Sequence, residues 1–262
     1  MHAVPPDPAG ARNAAKVGIK WVSIPGGDFM MGGSYSGPVH PVTVPGFQMA
    51  KTLVTFRQYK ACVAAGACTP PHLSDGRCHL SPPAKGAALP ASFRGGDHPV
   101  VCVDWLQADE FSRWVGGSLP SEAQWEFAAR SAGKPQAYPW GDRKADCQTA
   151  VVADGRRPFV AGCGRDSTWP VCSKPKGNTA QGLCDMAGNA SQWVADTYHA
   201  TYLGAPADAS PWVDPNPAGA GPVFRGGDWA ADATYALASH RCHNAAYAAF
   251  DTMGLRPVRG AP

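Results

Sequence analysis

Charge is scarce in this chain. Only 16% of its 262 residues are Asp, Glu, Lys or Arg, and the net charge is +3. No Lys/Arg cluster forms a stripe, so neither a nucleic acid nor a membrane surface is an expected partner. A run of about 18 apolar residues is also missing, so no membrane-spanning helix is expected. The first residues contain no basic region followed by an apolar stretch, which excludes an intact signal peptide there. Residues 1–18 read as a Pro-rich linker or trimmed N-terminus, and 19–262 as a single domain. Finally, no Cys-x-x-Cys occurs and no His sits at zinc-finger spacing from a cysteine pair, so a structural zinc is not expected.

What the chain has in quantity is Gly (30), Pro (26) and Cys (9). Such a composition suits a loop-rich domain and not a helical bundle. Eight of the cysteines (62, 68, 78, 102, 147, 163, 172 and 184) are expected to form four bridges, with Cys242 left over. Bridges persist in oxidising compartments, so an extracytoplasmic location (periplasmic, secreted or cell surface) is expected.

The pattern along the chain is α+β. Residues 21–33 read as strand, Gly-Gly turn, strand, and Val42, Val44, Phe47 and Met49 continue the β alternation. Thr55 and Gln58 form a capping-box signature for a helix to about Ala64, and Ser121 and Gln124 form another for a helix to about Arg130. A short buried strand is expected at Val100–Val103. After it, Asp104 caps a helix with Ala108, Phe111, Trp114 and Val115 on one face. Residues 69–97 and 131–183 read as loop, with an aromatic turn at 138–142.

The ordered motifs resemble the formylglycine-generating enzyme (sulfatase-modifying factor) family. They are residues 21–32 (Trp-Val-Ser-Ile-Pro-Gly-Gly-Asp-Phe-Met-Met-Gly), 98–105 (His-Pro-Val-Val-Cys-Val-Asp-Trp) and 117–130 (Gly-Ser-Leu-Pro-Ser-Glu-Ala-Gln-Trp-Glu-Phe-Ala-Ala-Arg). Residues 138–142 (Tyr-Pro-Trp-Gly-Asp), 182–189 (Gly-Leu-Cys-Asp-Met-Ala-Gly-Asn), 225–229 (Arg-Gly-Gly-Asp-Trp) and 254–256 (Gly-Leu-Arg) complete the match. The resemblance implies a C-type-lectin-like α+β fold rich in irregular loops. It leaves the activity open, because the family includes copper oxidases, iron enzymes, siderophore-maturing proteins and retroelement-diversified ligand-binding proteins.

In the oxidases two copper-binding cysteines follow a Gly-Gly-Ser motif. Here those positions fall on Ala231 and Ala236, and Asp228 replaces the serine, so no copper is expected. The family also commonly carries structural calcium. That resemblance points to Asp185, Gly188, Ala190 and Gln192, although Ser191-Gln192 replaces the usual Trp-Glu and one charge is lost. The plain reading of Gly188-Asn189 is a turn with a left-handed residue.

Residues 230–252 contain no Met, Trp, Lys, Glu or Gln. All residue types present are reachable by adenine-directed mutation of Asn codons ending in C, the mechanism of the family's hypervariable members. An Ala-rich member from a GC-rich genome is the alternative origin. The expected function is a non-catalytic ligand-binding protein with a variable C-terminal segment, 224–259. The contacts expected are Asp228, Trp229, Asp232, Tyr235 and His240, together with His243, Asn244, Tyr247 and Phe250. The ligand, a protein or small molecule, is not specified. The alternative is a metal-dependent oxidoreductase, with non-heme iron or a similar metal, that lacks the copper cysteines.

Overall fold

The computed structural model describes residues 8–33, 37–81, 88–153, 161–214 and 220–261. Strand β1 (Trp21–Ile24) leads to an antiparallel pair, β2 (Gly27–Gly33) and β3 (Gly37–Val44), and then to β4 (Phe47–Ala50). Alternation works as expected: Phe29, Met31, Val42 and Val44 are buried on the inner face. The last strand, β11 (Val258–Gly260), pairs with β4 on the edge opposite β1, so the two ends of the domain meet in one sheet.

Three helices start as their sequences direct. Helix α2 (Phe56–Ala64) opens with the Thr55–Gln58 capping box and α4 (Glu122–Ala129) with Ser121–Gln124, both reciprocal bonds being made in each. Between them, Asp104 caps α3 (Trp105–Trp114), and Gln107 returns the bond to its backbone N–H. Ala108, Phe111 and Val115 are fully buried on its inner face.

Two expectations change. The linker expected over 1–18 contains a helix, α1 (Pro8–Lys16), docked on α3; residues 1–7 lie outside the described ones. Asn13 donates to the Trp114 carbonyl at 2.9 Å. A Cβ on Gly10 would lie 2.3 Å from Gly116 Cα, so glycine is needed at this crossing. Residues 100–103 are buried but form no strand. Val100 N–H donates to Val54 O and Cys102 N–H to Phe250 O, partners on different segments, and Cys102 has φ 60°. No ladder can continue through that left-handed residue.

The sheet that positions the site has the order β10–β6–β7–β8: β10 (Met253–Gly254), β6 (Ser191–Thr197), β7 (Pro222–Arg225) and β8 (Arg241–His243). Beside it, β5 (Cys78–His79) pairs with β9 (Ala249–Phe250). Bridges Cys62–Cys68, Cys78–Cys102, Cys147–Cys163 and Cys172–Cys184 pin the long loops, and Cys242 is the free thiol, as expected. No helix among the described residues is long and apolar enough to cross a membrane.

Candidate functional site

Side chains of β7 and β8 alternate between two faces, and this alternation divides the C-terminal segment. Arg225 lies opposite Arg241, and Phe224 opposite Cys242. The arginines turn toward α4, where Glu122 and Glu126 sit one turn apart on a single face. Arg241 grips Glu122 with two bonds, at 2.8 and 2.6 Å, while Arg225 pairs with Glu126 and approaches Glu122 at 3.3 Å. Arg130 adds a third guanidinium, 2.8 Å from Glu126. Every charge in this buried cluster has a partner.

On the other face, Phe224 and Cys242 border a cavity of about 210 Å³. Asp228, Tyr235, His240 and Asn244 continue its wall. Phe250, Met253, Ser191 and Ala231 close it. The wall depends on Gly226 and Gly227, with φ 101° and 62°. A Cβ on Gly227 would meet the Tyr235 carbonyl carbon at 2.8 Å, so only glycine lets the 235–236 backbone come this close.

Asp228 is the one carboxylate bordering this cavity. Its Oδ1 accepts the Ala230 and Ala231 N–H groups at 2.9 and 3.1 Å, and its Oδ2 accepts the Ser191 hydroxyl at 3.2 Å. Burial pushes its carboxyl up to about 6 despite these bonds. Nearby, Asp251 accepts the Ser81 N–H at 2.8 Å. Burial, together with the charge of Asp228, pushes Asp251 up to about 7. The Cys242 thiol is raised by burial and by Asp228, so it stays protonated at neutral pH. His240, 3.7 Å from that sulfur, is held below its ordinary value by burial and Arg225, so its imidazole is neutral.

The structure brings together five of the nine expected contacts: Asp228, Tyr235, His240, Asn244 and Phe250. Trp229 is not among them. It is 1% exposed, packs edge-on against Phe93 and donates its indole N–H to the Asp251 carbonyl at 3.0 Å. The tight Gly-Gly turn sends this indole into the core instead of the rim. Asp232 is exposed and caps the Thr234 N–H; His243 stacks on Tyr198; Tyr247 is 71% exposed away from the cavity. Ser191, which bonds Asp228, and Asp251, which feels its charge, were missed by sequence reasoning, because packing and not nearness in sequence brings them to this region.

Ala231 lines the cavity and Ala236 is buried. With a single thiol nearby, the residues present do not fit a two-thiolate copper site. His240 and His243 do not converge, and no group of three or more His, Cys, Asp or Glu suited to a metal ion occurs among the described residues.

The expected calcium set is also committed elsewhere. Gln192 Oε1 accepts from Trp125 Nε1 and Arg256 Nε, at 3.0 and 2.8 Å. The Arg256 guanidinium also bonds the Cys184 and Asp185 carbonyls, so a cationic side chain already takes these oxygens. The Asp185 carboxylate accepts the Cys172 N–H at 2.7 Å. Gly188 has φ 75°, and a Cβ there would sit 2.6 Å from Val151 O. This is the turn of the plain reading, and of the four residues Gln192 and the Asp185 carbonyl are already bonded to Arg256.

The model of the sulfatase-modifying factor enzyme 1-like domain matches residues 9–261. The chain belongs to this family. A formylglycine-generating enzyme of Streptomyces coelicolor is 32% identical to it over 261 residues, covering 82% of this chain and 80% of that enzyme. The structure of PvdO from Pseudomonas aeruginosa has a TM-score of 0.73 at 27% identity, covering 92% of this chain and 94% of PvdO. Treponema denticola variable protein 1 has a TM-score of 0.69 at 20% identity, covering 93% and 95%, and shows the shared fold. Within the family, the cavity lies where the resemblance puts the copper thiolates, at position 231, with aspartate in place of the motif's serine at 228.

Proposed function

We propose that this family member is a ligand-binding protein that takes a small molecule in the cavity beside Asp228 and works without copper or structural calcium. The observation that carries this reading is the donor set. Ala231 borders the cavity and Ala236 is buried, which leaves the protonated Cys242 as the one thiol lining the cavity among the described residues. Around it are side chains that recognise without reacting: a tyrosine, a neutral imidazole, an amide and apolar rings. The non-heme iron alternative gains no support, since His240 faces the cavity and His243 stacks on Tyr198 outside it.

The test is direct. Purified protein supplied with copper, oxygen and a cysteine-containing peptide is expected to leave the cysteine unchanged by mass spectrometry. Formylglycine in the peptide, or stoichiometric iron in protein purified without added metal, would overturn the reading.

The exposed positions Asp232, His243 and Tyr247 form a variable surface outside this pocket in our reading, diversified at adenines, with exposed Tyr235 at the pocket wall. A near-identical template copy beside a reverse-transcriptase gene is the expected genomic context; an isolated gene sinks that part. The four bridges support an oxidising, extracytoplasmic compartment. Alkylation without reduction, followed by mass spectrometry, should leave eight cysteines unlabelled and as four bridges.

A further inference from the structure

Among the described residues, the largest cluster of buried charges is compensated by ion pairs, and the wall of the cavity is not. Arg225, Arg241 and Arg130 answer Glu122 and Glu126, and Arg256 answers the carbonyls of 184 and 185. Asp228 has no cation within ion-pair distance among the described residues. Its Oδ1 already accepts two N–H groups, whereas Oδ2 accepts one hydroxyl and retains a lone pair. Behind it lies a second carboxylate, Asp251, whose buried Oδ1 has no hydrogen-bond partner. The Arg225 guanidinium is held by the α4 glutamates and by the carbonyls of Ala238 and Ser239, with its buried Nε left without a partner. The cavity therefore presents one carboxylate, Asp228, without a paired cation, beside the apolar Phe224, Phe250 and Met253.

Building on the ligand-binding reading above, we propose that the cavity takes a small organic amine. The ammonium bonds Asp228 Oδ2, and the carbon body packs on Phe224, Phe250 and Met253. An anion would meet the Asp228 carboxylate, which has no cation within ion-pair distance among the described residues. A neutral ligand would leave the Asp228 charge uncompensated in a poorly hydrated wall, where a missing partner is costly. Size agrees: about 210 Å³ is the liquid volume of about seven waters at ~30 Å³ each, enough for a short amine bearing a ring or alkyl chain. The aspartate at 228 is then the specificity-determining residue, in the place where the family's motif has serine.

Benzylamine, benzyl alcohol and benzoate, which share a ring and differ in charge, provide the test by NMR titration of the intact protein. Benzylamine is expected to perturb Tyr235, His240 and Met253 saturably, benzyl alcohol at least tenfold more weakly, and benzoate not at all. Asp228→Asn, which keeps the acceptor for the two N–H groups, should weaken benzylamine at least tenfold and bring it level with benzyl alcohol; a charge-assisted bond supports that factor. Asp228→Ser gives the same answer with the residue of the family motif. Equal binding of alcohol and amine, or unchanged benzylamine affinity in both variants, overturns the amine class while leaving the cavity a binding site. If none of the three probes perturbs a cavity residue, the site reading fails together with the proposal.

Discussion

Two groups of carboxylates lie on opposite faces of β7 and β8, with Glu122, Glu126 and Asp251 buried and Asp228 half-buried, and they are treated differently. On the α4 side, Glu122 and Glu126 are met by three arginines. On the cavity side, Asp228 and Asp251 are met by hydroxyl and backbone donors only. A compensated cluster locks elements together, because its desolvation cost is repaid by mutual attraction and by bonds to carbonyls. An uncompensated pair lowers stability and keeps an affinity for something absent from the chain. Such a locally unfavourable arrangement is what a binding site tends to hold.

Breaking the compensated side should have the largest effect. Arg225→Met leaves Glu126 with Arg130 alone and Glu122 with Arg241 alone, and is expected to cost about 3–5 kcal/mol in urea unfolding. A loss under about 1 kcal/mol would mean that the cluster does not hold β7 to α4. Next comes the opposite change on the cavity side. The Asp228 carboxyl sits at about 6 when folded, against an ordinary 3.8, so the folded state keeps its proton longer than the unfolded chain. Its favourable contribution is full below pH 3.8 and is lost as pH rises through 6. Asp228→Asn should therefore stabilise the protein by about 1–3 kcal/mol at pH 8 and by little at pH 3.5, measured as unfolding free energy across pH. Destabilisation at pH 8 would erase the contrast between the two faces.

Ser191→Ala removes a hydroxyl bond from the same carboxylate. A loss of about 1–2 kcal/mol at pH 8 is expected, with the Asp228 titration, read by carboxyl NMR, moving further up. Tyr247→Ala should do least. The ring is 71% exposed and away from the cavity, so stability should change by less than about 0.5 kcal/mol and benzylamine binding not at all. Tyr235→Ala, by contrast, should weaken that probe while leaving the fold intact. Equal effects of the two tyrosines would break the division between cavity and outer rim.

Much of the scaffold was legible because its signals are local. The boxes at Thr55–Gln58 and Ser121–Gln124 close between residues three apart, so their helices follow from the residue types. The four bridges were countable, and Cys242 could be singled out, but the pairing required loops to meet. Residues 100–103 look like a strand to any periodicity argument. They are buried without a ladder because Val54 and Phe250 approach from different directions. Trp229 looked like a rim aromatic, since nothing in its neighbours tells which way the turn after Gly227 aims the indole.

By itself the sequence determined the family, the helix starts, and the absence of thiols at 231 and 236, since each is a matter of residue type at a known place in a motif. The tertiary structure decided which residues of 224–259 share a cavity. It also set Asp251 near Asp228, and Arg256 where a calcium ion was expected. Those outcomes depend on strand register and on contacts between residues as far apart as Glu122 and Arg241. At that separation the meeting of two charges is settled by how the layers pack, and no local preference along the chain records it.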